Sequence, residues 1–547
     1  MSAFRRAYDY LVIGSGSAGA VIAARMAEAG SHSVLLLEAG PSDRHYSIQM
    51  PAALGLPLGN ERFNWFYHSE PEPHLGERKI YEARGRVLGG SSSINGLNWV
   101  RGNPLDFDRW AASGLEGWSY SECLPYFKKA ETFAGGVNAY RGGQGPMWIE
   151  RCPARNPLYQ AFLAAGQEYG VSLAEDHNAY RQEGVHITQR NVHNGIRWST
   201  AAAYLLPNQG RTNLQVRTNA HVLRIRLDGR RAVGVEVAHQ GETHVISAER
   251  EVILCAGALN SPHLLMLSGI GPRADLERLG LRVARNLPGV GRGLKDHVAA
   301  PVQYRASRNV SLAAKLTPVG RMMLGIQWFM FKTGLGASNF FEVGAFIRAR
   351  ESDQIASFQI EFVPMLGELQ HGSVKLENGF QYFLSLMRPT STGRVWLQSA
   401  DPLAAPRFVF NYLETEDDCA LAVEAVKIIR EIVAQKAWDE HRSVEVTPGP
   451  DIRKDAEILR WLRSAAGTNY HPSCTCQMGV HDLSVVDSRA KVHEFENLRV
   501  VDASIMPAIV SGNLNAPVIM MAEKLADDIL GKPPLRPDPQ PYYLPGA

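Results

Sequence analysis

A glycine-rich turn near the N-terminus limits the possible folds of this chain more than any other feature. The apolar residues 10–13 lead directly into a Gly-x-Gly-x-x-Gly motif at Gly14, Gly16 and Gly19. This order predicts a buried strand, a tight turn and a helix over residues 20–29. Gly14 permits the bend, Gly16 lets backbone N–H groups approach a diphosphate, and Gly19 lets the helix pack closely on the strand. The partial positive charge of the helix N-terminus would hold that diphosphate.

An acidic residue after the next apolar run completes the pattern of a dinucleotide site. Glu38 follows the apolar residues 34–37 and lies 19 residues after Gly19. A carboxylate at this position can bind both ribose hydroxyls and would repel a 2′-phosphate. A glycine turn in an unrelated loop would explain the glycines alone. The strand, turn, helix and acid in this order favour dinucleotide binding.

The length and charge of the chain exclude several classes of protein. Its 547 residues exceed one ordinary domain, so we expect two domains, each with its own core. The net charge of +2 gives no electrostatic basis for binding nucleic acid. No stretch reaches the roughly 18 continuous apolar residues of a membrane span, so we expect at most a peripheral membrane association.

The N-terminus and the cysteines predict a cytoplasmic protein. Arg5 and Arg6 resemble the start of a twin-arginine export signal. The apolar stretch after them is the predicted first strand, and cleavage there would destroy the fold, so we expect no signal peptide. Six sparse cysteines fit free thiols in a reducing compartment. Cys474 and Cys476 are interpreted as alternate residues of a strand, and no metal site is expected. Any membrane attachment would be peripheral, at the inner face of the membrane.

A second glycine-rich segment predicts another anion-binding turn. Residues 85–96 contain two adjacent glycines and three serines, whose N–H and O–H groups can bind a phosphate or a flavin ring. A flexible serine-rich linker is the alternative. We disfavour the linker because Val87, Leu88 and Ile94 are aliphatic, whereas linkers remain polar.

Residues 213–255 predict short strands. Alternating apolar residues and turns at residues 228–229 and 240–241 indicate an antiparallel meander laid over the main sheet. Residues 251–257 then predict a buried strand that returns to that sheet.

Three helices are predicted further along the chain. The first is short, with Ser261 as its N-cap, Pro262 at its first position and Gly269 after its end. The second is expected over residues 417–435, where apolar residues recur at helical spacing. The third is expected over residues 518–530.

These features together resemble the glucose-methanol-choline (GMC) oxidoreductases, and the likeness runs from about residue 9 to residue 527. It is carried by four segments in the family's order, at residues 14–19, 85–95, 257–271 and 471–515. The chain is most similar to the choline-oxidising members, through residues 50–54, 69–73, 101–103, 336–339, 470–476 and 511–517. The resemblance implies an α/β fold (α+β overall), with a Rossmann-like FAD-binding domain and a substrate domain on a mostly antiparallel sheet.

The resemblance also implies a discontinuous division of the chain. The FAD-binding domain would comprise residues 1–155, 210–300 and 466–532, and the substrate domain residues 156–209 and 301–465. Residues 533–547 are rich in proline, and we expect them to be poorly ordered.

The cofactor implied by the resemblance is FAD, bound tightly. Relatives that tether the flavin covalently have a histidine where this chain has Ile94, so we expect non-covalent FAD. The residues implied for the ADP half are Gly14, Ser15, Gly16, Ser17, Ala18, Gly19, Glu38 and, through its backbone, Val222. Those implied for the pyrophosphate and flavin are Trp65, Leu88, Gly89, Asn95, Gly96, Leu97, Asp502, Ala503 and Asn515.

The implied reaction is oxidation of a primary alcohol by hydride transfer to flavin N5. Imidazole has a suitable pKa for a base near neutrality, so His471 is the candidate catalytic base, although a buried structural histidine is the alternative. Asn513 would bind the substrate oxygen and fix its position. A helix beginning near Ala516 would direct its positive end toward the flavin. His297 is interpreted as a structural histidine bonded to its own loop.

The favoured substrate is choline, oxidised to betaine aldehyde. Its quaternary ammonium requires aromatic faces and a nearby carboxylate. Phe341 and Glu342 offer both, with Tyr470 and Trp65 completing a cage. Plain core packing would also explain the phenylalanine, and uncharged aliphatic or aromatic primary alcohols are the alternative substrates.

Other functions remain open at this stage. An NAD-dependent dehydrogenase would share only the first motif, a hydroxynitrile lyase would keep FAD and His471, and a binding protein would need no catalytic base. The electron acceptor could be oxygen, a quinone or another carrier.

Overall fold

The first sheet is built around buried parallel strands. The computed structural model describes residues 4–370 and 373–546. In spatial order the sheet contains Leu214–Arg217, Val34–Leu37, Ala7–Ile13, Glu242–Leu254, Arg231–His239 and Ala220–Asp228, with Leu498–Val500 paired to Glu242–Leu254. Ala7–Ile13 runs parallel to both of its neighbours. Continuous apolar runs suit such strands because helices cover both faces.

The meander belongs to this sheet, which corrects the expectation that it would lie over it. A single strand, Glu242–Leu254, pairs antiparallel with Arg231–His239 in its first half. Its second half pairs parallel with Ala7–Ile13. The predicted meander strand and the predicted returning strand are therefore one element. The two turns lie where the sequence predicts them, with positive φ at Gly229 and Gly241.

The glycine turn brings two loops into backbone contact. Gly14 has φ +92°, and a Cβ at Gly19 would lie 1.8 Å from the Gly14 carbonyl oxygen. Gly90, from the serine-rich segment, approaches so closely that its Cβ would lie 2.6 Å from the Cα of Gly16. The helix Ser17–Glu28 starts three residues earlier than predicted, directly after this contact.

The second sheet is antiparallel throughout, as expected. In spatial order it contains Arg442–Thr447, Val298–Ala306, Gly379–Leu386, Phe358–Val363, Val343–Ile347 and Gly184–Ile187, with Gly467–Thr468 paired to Val298–Ala306. The smaller pairings involve Tyr67–His68, Tyr81–Glu82, Glu131–Phe133, Met147–Arg151, Gln189–Arg190, Val192–His193, Ile196–Arg197, Ile270–Gly271, Arg285–Asn286, Arg292–Leu294, Leu366–Gln370, Ser373–Glu377, Gly393–Trp396 and Arg407–Val409.

The first and last helices of the fold lie against each other. Arg25 of Ser17–Glu28 pairs with Glu523 of Asn515–Ile529 at 2.7 Å. The other α-helices are Tyr46–Gln49, Gly55–Leu58, Pro104–Ala112, Tyr120–Ala130, Pro157–Glu168, Gly257–Leu267, Arg273–Arg278, Pro318–Phe331, Glu416–Ala434 and Asp455–Ala465. In the described ranges, none of the helices has both the length and the apolar character needed to cross a bilayer.

The helix Gly257–Leu267 corrects the predicted cap. It begins four residues before Ser261, so Pro262 lies inside it. Proline has no N–H, which leaves the carbonyl of Ala258 without its helical donor. The hydroxyl of Thr475 donates to that carbonyl instead, at 2.6 Å. Because a side chain supplies the missing bond, proline is tolerated within the helix.

The C-terminal segment packs on the surface, so the expectation of poor order is wrong for residues 533–546. Tyr542 donates its hydroxyl to Asp108 at 2.6 Å, and the N–H of Tyr543 donates to the carbonyl of Tyr180 at 2.7 Å. Residue 547 lies outside the described residues.

Candidate active site

A cavity of about 1420 Å³ lies between the two sheets. One part of its wall comes from the glycine turns and from Asn515 at the start of the last helix. Another part comes from the second sheet, through Glu361 and Gln381. A single long ligand can therefore contact both halves of the molecule.

Glu38 marks one end of the cavity. Its carboxylate accepts hydrogen bonds from the Ser15 N–H at 3.0 Å, the Ser15 hydroxyl at 2.7 Å and the Gly40 N–H at 2.9 Å. Burial raises the pKa of Glu38, and these donors oppose that shift. The carboxylate is thus fixed at the end of the second strand, where ribose hydroxyls would meet it. Ser15 lies behind the wall and orients Glu38.

The two glycine turns form a cradle of backbone atoms. Gly14, Gly16, Ser17 and Ala18 line the cavity from the first turn, and Gly90, Ser91 and Ser92 line it from the second. Gly19, Leu88 and Gly89 lie behind this wall, so the structure does not bring these three expected residues to the surface of the cavity. They support the turns instead, as Gly89 does by donating its N–H to the Ser15 hydroxyl at 3.2 Å.

Two helix N-termini meet at this cradle. The hydroxyl of Ser17 donates to the Asn515 Oδ1 at 2.7 Å, which joins the starts of the first and last helices. The Asn515 Nδ2 is buried and has no hydrogen-bond partner among the residues that the structure describes. An unpaired donor beside two positive helix ends suits an anionic or carbonyl-bearing ligand. The residues present therefore fit a diphosphate-containing dinucleotide such as FAD.

The remaining expected cofactor residues line the same cavity. They are Trp65, Asn95, Gly96, Leu97, Val222, Asp502 and Ala503. The centroid of the Trp65 ring lies 5.7 Å from that of Tyr67 and 5.4 Å from that of His221, the residue before Val222 in the sequence. Asp502 accepts hydrogen bonds from the Ser261 hydroxyl at 2.6 Å and from the Gly257 N–H at 2.9 Å.

His297 and His471 form a chain that fixes their tautomers. The His297 Nε2 lies 3.1 Å from the carbonyl oxygens of both Met387 and Val510, so this nitrogen must carry the proton. Burial lowers the pKa of His297 to about 4, which leaves its Nδ1 as an acceptor. The His471 Nδ1 lies 2.9 Å from that nitrogen and must donate to it. The His471 Nε2 is consequently unprotonated.

This result corrects the interpretation of His297 as a residue bonded to its own loop. Its ring bonds to Met387, Val510 and His471, which are distant in the sequence. Burial, followed by the charges of His297 and Arg84, lowers the pKa of His471 well below its ordinary value. A neutral imidazole whose Nε2 is unprotonated can accept a proton at that nitrogen.

Asn513 faces the unprotonated Nε2 of His471. Its Oδ1 accepts from the Gln359 Nε2 at 3.2 Å, which orients the Nδ2 toward the active site. The Nδ2 lies 3.3 Å from the His471 Nε2 and 3.3 Å from the Glu361 Oε1. The structure thus brings together a proton acceptor and an amide donor, both of which can contact one hydroxyl oxygen.

Glu361 is a site residue that the sequence analysis missed. It lies on the strand Phe358–Val363, lines the cavity and accepts from the Asn98 Nδ2 at 2.6 Å. Burial raises its pKa. A signal was present, because Gln359 and Glu361 are alternate polar residues on one face of a buried strand.

Glu342 is not brought to the cavity, which corrects its expected role as the substrate carboxylate. Its Oε1 accepts from the Ser338 hydroxyl at 2.6 Å, and its Oε2 accepts from the Ala154 N–H at 2.8 Å. Both oxygens are therefore occupied by donors outside the cavity, one from the adjacent loop and one from the distant Ala154. Phe341 and Tyr470 do line the cavity.

Two buried carboxylates, Asp296 and Glu82, lie behind the segment that contains His471, and the sequence analysis missed these as well. Asp296 accepts from the His471 N–H and from the Thr468 hydroxyl, both at 2.6 Å. Glu82 pairs with Arg84 at 3.0 Å. Burial raises the pKa of Glu82, the positive charge of Arg84 opposes this shift, and the negative charge of Asp296 adds to it.

Comparisons with known proteins agree with this geometry. Two models of the GMC oxidoreductase family match residues 8–299 and 389–522. The oxygen-dependent choline dehydrogenase of Photobacterium profundum is 44% identical over 543 residues, which cover 98% of this chain and 95% of that protein. The enzyme of the same name from Serratia proteamaculans is 46% identical over 547 residues, which cover 98% of each protein.

The solved structures show the same architecture. Formate oxidase from Aspergillus oryzae, studied for modification of its FAD, has a TM-score of 0.91 and 26% identity, covering 97% of this chain and 99% of that chain. The family models, the full-length relatives and this shared fold lead to one assignment. The chain belongs to the GMC oxidoreductase family of FAD-dependent oxidoreductases.

Proposed function

We propose that the protein oxidises a primary alcohol to its aldehyde, and that choline, giving betaine aldehyde, is the substrate. The observation that carries the proposal is the unprotonated His471 Nε2 beside the Asn513 Nδ2, in the wall of a cavity that fits a dinucleotide. The names of the full-length relatives, which are oxygen-dependent choline dehydrogenases, support the choice of alcohol.

In this proposal His471 and Asn513 act together on the substrate hydroxyl. The His471 Nε2 accepts the hydroxyl proton, and the Asn513 Nδ2 donates a hydrogen bond to the hydroxyl oxygen. His297 is a positioning residue, because it fixes which nitrogen of His471 is free. Bound FAD supplies the group that accepts the hydride from the substrate carbon. The preformed chain of hydrogen bonds removes the need to reorient the base during reaction.

The wall near these residues supports binding of a quaternary ammonium. Glu361 provides a carboxylate, and Phe341, Phe383 and Tyr470 provide aromatic groups. The rings of Phe341 and Phe383 lie 6.3 Å apart. A cation that donates no hydrogen bonds is attracted to aromatic faces and to negative charge. Glu361 replaces Glu342 in this proposed role.

An uncharged primary alcohol is the second candidate substrate. Burial raises the pKa of Glu361, and a protonated Glu361 would carry no charge to attract an ammonium group. The lining would then favour an aliphatic or aromatic alcohol.

The proposal includes non-covalent FAD. Ile94 is buried, lines the cavity and has only aliphatic carbons, which cannot form a bond to the flavin. The three-part FAD-binding domain (residues 1–155, 210–300 and 466–532) and the two-part substrate domain (156–209 and 301–465) are also proposed. We further propose that the enzyme acts in the cytoplasm, attached peripherally at the inner face of the membrane, with oxygen, a quinone or another carrier as electron acceptor.

The test is anaerobic reduction of the purified yellow protein by choline, hexanol and benzyl alcohol in turn. Choline should bleach the flavin fastest. Faster bleaching by a neutral alcohol would instead support the second candidate. A flavin that no alcohol bleaches would contradict the proposal and favour a lyase on the same scaffold. Reoxidation with oxygen or a quinone analogue then identifies the acceptor.

A further inference from the structure

The helix Pro318–Phe331, here called the mouth helix, exposes an apolar face. Seven of its apolar residues are 50–70% exposed, and five of these are Val319, Met322, Met323, Ile326 and Met330. Their spacing of three and four residues places them on one side of the helix. Exposed apolar groups that cluster in this way mark an interaction surface, whereas scattered ones do not.

The opposite side of the mouth helix is fixed to the protein at the edge of the cavity. Trp328 is buried and donates its Nε1–H to the Gly195 carbonyl at 2.7 Å. Leu324, Gly325 and Phe329 line the cavity. The helix therefore has one face against the active-site cavity and the other toward solvent.

The charged side chains of this segment have one sign. Lys315 and Arg321 are exposed, and Lys332 follows the end of the helix. The sequence from residue 311 to residue 341 contains no aspartate or glutamate. An apolar face in a segment whose charges are all positive complements a surface that has an apolar interior and anionic headgroups.

We propose that the mouth helix docks the protein on an anionic lipid bilayer, with its outer face in the interfacial region and the cavity opening toward the membrane. This inference rests on the peripheral membrane association in the proposed function and names the surface responsible. The helix has 14 residues, which span about 21 Å, whereas a bilayer core is about 30 Å thick. It therefore lies on the bilayer and does not cross it.

A second copy of the chain is a poorer occupant for this face. A symmetric dimer would bring the same patch of each copy together. The two copies of the segment, each with three basic residues and no acidic one, would then approach each other. Such like-charge contacts are unfavourable.

The experiment is sedimentation of the FAD-loaded protein with vesicles. One set contains equal parts of phosphatidylcholine and phosphatidylglycerol, and the other contains phosphatidylcholine alone. The outer-face variant is Met322→Gln/Ile326→Gln/Met330→Gln. The matched control is Val137→Gln/Val480→Gln/Leu483→Gln, which changes three apolar residues that are 50–82% exposed elsewhere on the surface.

We expect the unchanged protein and the control to bind the anionic vesicles, with at least tenfold weaker binding by the outer-face variant. Binding should also weaken at high salt, because salt screens the attraction between the basic residues of this segment and the anionic headgroups. FAD content and activity with a soluble dye should be unchanged in both variants, which confirms folding. Lys315→Gln should weaken binding to the anionic vesicles only.

Two results would overturn the inference. One is equal vesicle binding by the outer-face variant and the unchanged protein, or no binding by either. The other is a dimer, seen by sedimentation velocity, that the outer-face variant abolishes, since the face would then belong to a second copy. Because vesicle binding is read without substrate, its failure is distinguishable from a failure of alcohol oxidation.

Discussion

The Nδ1 atoms of His297 and His471 lie 2.9 Å apart, and only one of them can carry a proton. The two carbonyls that face the other side of His297 decide which one. A histidine outside the reacting pair thereby controls the protonation state of the nitrogen that faces the substrate. Three of the expected outcomes below follow from this arrangement and the groups next to it.

Removing the base should abolish most of the activity. We expect His471→Ala to lower kcat roughly 10²-fold or more, the usual cost of losing a general base. FAD content should remain close to that of the unchanged protein. His68→Ala, at an exposed histidine, is the control and should have normal kinetics. Near-normal turnover by His471→Ala would refute the assigned role.

Removing His297, the acceptor that orients the base, should lower the activity less than removing the base itself. In His297→Leu the His471 Nδ1–H has no partner, so both tautomers are populated and kcat should fall about tenfold to 10²-fold. KM should change little. His297→Gln can present an oxygen to the same N–H and should recover part of the loss. The pH profile of kcat/KM provides a second readout, because the acidic limb should lie below the ordinary imidazole pKa in the unchanged protein and move in the variant. An identical profile in His297→Leu would rule out the positioning role.

The carboxylate that faces the substrate can be identified with a matched pair of variants. Glu361→Gln should raise KM for choline at least tenfold, because it removes the negative charge near the ammonium, and should change KM for hexanol much less. Glu342→Gln should leave both KM values unchanged, since its oxygens bond to Ser338 and Ala154 outside the cavity. The opposite result would restore Glu342 to the role first expected for it.

The backbone contact between the glycine turns should be essential for holding FAD. In Gly90→Ala the new Cβ would lie 2.6 Å from the Gly16 Cα, at a φ of +54°. We expect the purified variant to contain less than half of the normal FAD per chain, measured by absorbance. Gly76→Ala has similar strain at φ +67° but has no atom within 4 Å of the new Cβ, so it is the control and should keep its FAD. Equal FAD in both variants would show that the contact is dispensable.

Glu82 should make stability depend on pH in a defined direction. Its folded-state pKa is raised, chiefly by burial, so the folded protein binds a proton there that the unfolded chain releases above about pH 4.3. This contribution to stability is present at low pH and is lost as the pH rises through the folded-state pKa. Relative to the unchanged protein, Glu82→Gln should therefore gain at least about 1 kcal/mol in free energy of unfolding between pH 5 and pH 8.5. Urea unfolding of both proteins at the two pH values measures this change, and a constant difference would contradict it.

The elements that the sequence predicts well are those formed by residues close together in the chain. Gly14, Glu38 and the strand before them are recognisable because one short segment contains the strand, the turn and the helix start. The helix Glu416–Ala434 was predicted within one residue at each end, because its apolar residues recur over several turns.

Contacts between distant segments could not be predicted in the same way. His297 meets His471 through strand pairing and loop packing across the molecule, and the sequence has no local pattern for this contact. Glu361 was visible only as a polar residue in an apolar strand, and its partners Asn98 and Asn513 lie far from it in the sequence. Ser261 resembled an N-cap, but the hydroxyl of Thr475, far along the chain, allowed the helix to continue through Pro262.

The hydrogen bond from Ser17 to Asn515 has a consequence for biosynthesis. Nearly five hundred residues separate the two helix starts that close the cradle, so a nascent chain on the ribosome cannot assemble it until its last helix has emerged. Stable loading with FAD must then follow the emergence of Asn515 from the ribosome.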